Sequence, residues 1–115
     1  MIRAWHRHAR GQDDYFIVVR GAMKICAYDD EPGSATRGQL DEMVASSEKL
    51  QVVRINGKYW HGTKTLGFEP SLTVYAVNRL YDSKNPDEER RPWNDQAVVD
   101  PRTKAPFDWN KPPHK

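Results

Sequence analysis

The apolar residues of this chain fall in short runs broken by polar turns. Tyr15 to Val19, Ala22 to Tyr28, Gln39 to Ala45, Leu50 to Ile55 and Leu72 to Asn78 are rich in Val, Ile, Tyr and Thr and are bounded by Gly, Asp or Pro. That is the pattern of strands. The three-and-four spacing that a one-sided helix requires is hard to find. Arg20-Gly21 is expected to be a hairpin turn, Asp29 to Gly38 a longer loop, and Asn56-Gly57 a sharp turn in which the glycine takes a positive φ. Each strand is expected to pair antiparallel with its successor. Short strands spaced about ten residues apart without helical spacers argue for a sandwich, barrel or jelly roll over a parallel βαβ sheet. The prediction is all-β.

Beyond Tyr81 the pattern changes. Asp82 to Trp93 is polar and interrupted by proline, as expected of an irregular arm crossing the surface. From Pro101 to Lys115 there are four prolines and four lysines or arginines, with Phe107 and Trp109 as the apolar anchors. A chain of 115 residues holds one domain. We place that domain at residues 1–100 and read residues 101–115 as an extended, partly mobile C-terminal tail.

Composition narrows the partners. The chain is polar for a folded domain, with a mean hydropathy of −0.89, but 4 Trp, 5 Tyr and 3 Phe supply a core and argue against disorder. The net charge is only +2 and acidic residues are spread throughout, so no nucleic-acid partner is expected. The longest apolar runs, such as Phe16-Ile17-Val18-Val19, fall far short of the roughly 20 residues of a membrane-spanning helix, so no membrane partner is expected either. Cys26 is the single cysteine. It excludes an intramolecular disulfide and fits a reducing, cytoplasmic location.

The candidate chemistry is concentrated near the start. His6 and His8 are two apart and face the same side if their segment is a strand. Asp14 lies seven residues before Gly21, and His61 follows the Asn56-Gly57 turn. Together they form a possible set of three imidazoles and one carboxylate. His114 is read as an ordinary surface histidine, Trp5 and Trp60 as barrel packing, and Cys26 as buried and inert.

Taken in order, Arg3-x-x-His6, Val18-Val19-Arg20-Gly21-Ala22, Trp60-His61-Gly62, Val74-Tyr75, Tyr81 and Glu89-Arg90-Arg91-Pro92-Trp93-Asn94-Asp95 resemble the dTDP-4-dehydrorhamnose 3,5-epimerase family. The resemblance covers about residues 2 to 95 and rests on the joint order of these blocks. It implies a cupin jelly-roll barrel that removes and returns protons next to the ketone of a nucleotide-linked 4-keto-6-deoxy sugar, with neither metal nor organic cofactor. It makes His6 the base and Tyr75 the acid on the opposite ring face. It also gives Arg3 to the diphosphate, Tyr81 to the nucleotide base, and His61 to the barrel lining. An imidazole titrating near 6.5 and a phenol near 10 suit those two roles.

The sequence departs from the family at four places. Asp14 stands where the family has its catalytic lysine, so it is counted among the substrate-binding residues without supplying a cation for the enolate. Asn56 replaces a proline. Two residues precede Arg3 where family members carry several tens, strands included. The aspartate that partners the base has no clear match, with Asp100 and Asp108 as candidates. Two alternatives follow from these departures: a metal-binding cupin holding a divalent ion on His6, His8, Asp14 and His61, or a non-catalytic sugar-nucleotide-binding protein. A homodimer is expected, because a barrel short of leading strands exposes an edge that a second copy can cover, with the Met1 to Arg7 strand added to the partner's sheet.

Overall fold

The computed structural model describes residues 1–113, so His114 lies outside the described residues. Among them there is no helix, and ten strands form two facing sheets and a small ribbon. In chain order they are β1 (Ile2–Arg7), β2 (Asp13–Arg20), β3 (Ala22–Tyr28), β4 (Leu40–Ser46), β5 (Val53–Asn56), β6 (Trp60–Leu66), β7 (Leu72–Val77), β8 (Glu89–Arg90), β9 (Val99–Asp100) and β10 (Ala105–Pro106). One sheet has the order β4-β3-β6-β1-β8, the other β5-β2-β7, and β9 pairs with β10. Every pairing is antiparallel. The all-β jelly-roll expectation holds.

The expected pairing of successive strands holds for β3 with β4 and for β9 with β10 but not elsewhere. Arg20-Gly21 makes no hairpin: β2 pairs with β5 and β7, and β3 pairs with β4 and β6. Gly21, with φ at +76°, turns the chain from one sheet into the other. Gly57 is also needed for a different reason than expected, since it is absent from the positive-φ glycines. A Cβ there would drive into the backbone oxygen of Gln12 and the Cβ of His8. The β5–β6 turn is therefore a close approach of backbones, and β6 is a strand the apolar pattern missed.

Alternation gives β3 two jobs. Met23 and Ile25 point between the sheets, where they meet Phe16, Val18, Ala45 and Ile55. Cys26 and Tyr28 point to the other face of the larger sheet. That outer face is covered by the end of the chain: Val98, Phe107 and Trp109 pack with Trp5, Leu40 and Trp60. Trp109 is 1% exposed and lies 4.9 Å from Trp5, ring to ring. Below them Lys24, fully buried, pairs with Glu42 at 3.4 Å and donates to the Lys111 carbonyl at 2.8 Å.

Candidate active site

β2 alternates so that Asp14, Phe16 and Val18 face inward, and Asp14 becomes the hub of a buried network. His61 on β6 meets one carboxylate oxygen through Nε2 at 2.6 Å, and His8, just past β1, meets the same oxygen through Nε2 at 3.1 Å. The Tyr75 hydroxyl on β7 donates to the other oxygen at 2.8 Å, and the Gln12 amide donates to it at 2.9 Å. His6 on β1 stacks edge-on against His61, with ring centroids 4.4 Å apart. His6, His8, Asp14 and His61 each present a ligand atom, all within 4.8 Å of one another.

The hydrogen-bond accounting of the two buried rings is unusual. The other nitrogen of His8 faces the Asp87 carbonyl at 2.5 Å, and that of His61 faces the Tyr59 carbonyl at 2.8 Å. Each ring therefore lies between two acceptors, whereas a neutral imidazole has one N–H. With Nδ1–H given to the carbonyl, both Nε2 lone pairs meet the Asp14 carboxylate, and the arrangement calls for a further proton or cation between them.

Electrostatics separates the groups. Burial, reinforced by His61, lowers His6 to about 4, so its ring is neutral at neutral pH. Burial works against His8, but its bonds to Asp14 and the Asp87 carbonyl prevail and raise it. Burial alone would raise Asp14; hydrogen bonds from His61, His8, Gln12 and Tyr75 outweigh it and hold the carboxyl well below the usual carboxylate range. Burial, and then the bond to Asp14, push the Tyr75 phenol up. The Cys26 thiol is raised by burial and has no part here.

A cleft of about 920 Å³ opens beside this network, and His6, Tyr75 and Arg3 line it together with Phe16, Glu88 and Arg90. Arg3 and His6, three apart, would face opposite sides of a regular strand. The pairing of β1 with β6 shifts register between them, so both reach the cleft. His6 has no hydrogen-bond partner for either ring nitrogen, and the Arg3 guanidinium has no partner, among the described residues. His61 and Asp14 lie beneath the cleft surface, both fully buried. Tyr81 is 72% exposed and does not line the cleft, so the expected base-stacking position stands apart from the other site residues. Asp100 at the end of β9 pairs with Arg102 and Asp108 accepts from the Asn110 amide, and neither is a partner of His6.

Sequence reasoning missed Gln12 and Asp87. Gln12 lies two before Asp14, on the same face by alternation, and also reaches the Tyr75 hydroxyl at 3.3 Å. Asp87 gives its carbonyl to His8 and its carboxylate to the Ala9 and Arg10 amides at 2.9 and 3.0 Å. No local signal ties it to a histidine 79 positions away.

An antiparallel jelly roll whose inward strand residues place imidazoles and a carboxylate beside an open cleft is a cupin-type barrel. No family profile matches the chain. The probable low-salt glycan biosynthesis epimerase Agl13 of Haloferax volcanii is 43% identical over 114 residues, which are 99% of this chain and 69% of that protein. The spore coat polysaccharide biosynthesis protein SpsL of Bacillus subtilis is 29% identical over 110 residues, 96% of this chain and 68% of that one. The chain thus spans about two thirds of the length of these curated relatives. Among solved structures, the dTDP-4-dehydrorhamnose 3,5-epimerase of Elizabethkingia anophelis matches with a TM-score of 0.73 at 24% identity, over 96% of this chain and 56% of that one, a likeness of fold. The chain belongs to the dTDP-4-dehydrorhamnose 3,5-epimerase-like family of sugar-nucleotide epimerases.

Proposed function

We propose that this chain forms the catalytic barrel of an epimerase that removes and returns a proton next to the ketone of a nucleotide-linked 4-keto-6-deoxy sugar. One observation carries the reading: His6 faces the cleft with both ring nitrogens unengaged by any described residue and its ring neutral at neutral pH. A ring nitrogen takes the C–H proton, and the electron pair moves onto the ketone oxygen as an enolate. Tyr75, which keeps its proton at neutral pH, returns one to the carbon from its hydroxyl on the opposite ring face. The tyrosinate then regains a proton from solvent and His6 loses its own to it, both through the open cleft. Arg3, at the cleft wall and without a partner among the described residues, takes the substrate's diphosphate, and Tyr81 the nucleotide base if that segment moves in. Asp14 and His61 support the site from below.

Solvent exchange tests the reading. In D2O, with a thymidine-diphosphate-linked 4-keto-6-deoxy sugar, deuterium is expected at a carbon next to the ketone, together with an inverted centre. Binding without exchange would make the chain a sugar-nucleotide-binding protein. Neither binding nor exchange would overturn the reading altogether.

The acceptors around His8 and His61 favour a second reading, a divalent ion. The donor set fits one: three imidazoles and one carboxylate within reach of each other, with two Nδ1 atoms held by backbone carbonyls in the way that orients metal-ligating histidines. His6, His8, Asp14 and His61 would hold the ion, and when bound it would polarise an oxygen of the substrate. Metal content of the purified protein, measured before and after chelation, decides between an ion and a shared proton. A homodimer belongs to the same proposal, with one change. β1 pairs within its own chain with β6, and with β8 only at His6 and Arg7, whereas β7 is an edge with Leu72, Val74 and Val77 exposed and is the strand proposed for the contact. Light scattering at micromolar concentrations is expected to give the mass of two chains, and the mass of one would count against a dimer. A cytoplasmic location is proposed on the single buried thiol of Cys26.

A further inference from the structure

The cleft wall next to His6 carries an ion pair between Arg90 and Glu88. β8 pairs with β1 so that Arg90 stands directly opposite His6, and residues opposed in this way project from the same face of the sheet. Arg90 and Glu88 both line the cleft. The Arg90 guanidinium is held by a single Glu88 oxygen, at 2.9 Å from Nε and 2.7 Å from its neighbouring nitrogen. This pair lies at the surface, with the Arg90 side chain 78% exposed, and exposed pairs of this kind are weak and readily exchanged. The negative charge of Glu88 acts on both His6 and Tyr75. Of the other cations on the wall, Arg3 has no partner among the described residues, while Arg91 is already committed to Asp30 and Asp95 at 2.9 Å each.

We propose that Glu88 is a built-in counter-anion which a diphosphate-bearing ligand displaces from Arg90, so that Arg90 and Arg3, on the adjacent strands β8 and β1 of one cleft wall, hold the diphosphate together. The inference rests on the nucleotide-sugar reading above. A guanidinium bonds phosphate oxygens in the same forked geometry as a carboxylate. A diphosphate offers more charge and more acceptors than the one carboxylate it replaces. A ligand without a strong anion leaves the pair closed, with Glu88 facing the position of the sugar. The device therefore selects for nucleoside diphosphates over neutral sugars and, less strongly, over monophosphates.

Calorimetric titration with thymidine diphosphate and thymidine monophosphate tests this directly. Arg90→Ala is expected to weaken thymidine diphosphate binding by about tenfold or more, the loss of one charge-assisted bond. Glu88→Gln is expected to tighten it several-fold and to narrow the preference for the diphosphate. Glu89→Gln is the control. It makes the same change in net charge, but Glu89 pairs with Arg7 at 3.1 Å and does not line the cleft, so affinity should stay within twofold. Unchanged binding in Arg90→Ala, or equal tightening in Glu88→Gln and Glu89→Gln, overturns the clamp while leaving the nucleotide reading intact. Wild-type protein that binds neither nucleotide overturns both.

Discussion

At the scale of single residues, the site works by separating the proton affinities of neighbouring groups. His6 is lowered to about 4 by burial and His61, so the base form persists far below the pH at which a free imidazole, near 6.5, would be protonated. The acidic limb of kcat/KM is therefore expected between about pH 4 and 5. A limb at 6.5 or above would remove His6 as the free-enzyme base. The same shift has a stability sign. Because the folded value lies below the unfolded one, the unfolded chain binds more protons between pH 6.5 and about 4, and the His6 contribution is complete above that window and lost on descending through it. Asp14 acts in the same direction but lower: its stabilisation is present above the unfolded carboxylate value near 4 and declines as pH falls toward the depressed folded value. Asp14→Asn should cost roughly 3 kcal/mol in urea unfolding at pH 7, because it removes the anion of a buried charged network. A loss below about 1 kcal/mol would mean that the network relaxes around the amide.

At the scale of elements, turns decide where the residues go. Gly57 lets the β5–β6 turn lie against the Gln12 backbone, and its carbonyl accepts from the His8 amide at 2.6 Å. Gly57→Ala is expected to destabilise by about 1–3 kcal/mol, as overpacking does, and to disturb His8, visible as shifted imidazole resonances. A neutral effect on both would show that the turn has room. The strand pattern of β2, β3, β4 and β7 is legible in the sequence because alternation and β-branched content are local. β6 is not, because Trp60-His61-Gly62-Thr63-Lys64-Thr65 reads as polar although the first four residues are buried. Pairing order is not legible either: a glycine turn such as Arg20-Gly21 serves a hairpin or a crossing between sheets equally well. The meeting of His6, His8, Asp14 and His61 follows from alternation and from the family resemblance, whereas Gln12 and Asp87 enter through contacts that depend on the whole fold.

At the scale of the molecule, one chain builds two cores on opposite faces of the larger sheet, and the cleft depends on both. The inner core holds β2 and β3 together under the site. The outer core presses Phe107 and Trp109 on Trp5, which lies on β1 next to His6. Trp109→Ala should therefore cost about 3–5 kcal/mol and also loosen β1, seen as faster amide exchange at Trp5 and His6. A small loss with β1 unaffected would show that the C-terminal residues are a cover only. The central claim is that His6 moves a proton on a 4-keto sugar nucleotide, and deuterium incorporation next to the ketone by wild type and His6→Ala, compared at equal nucleotide occupancy, tests it most directly. Exchange by wild type with a loss of at least about 100-fold in His6→Ala is the predicted result; equal exchange by the two proteins would contradict it.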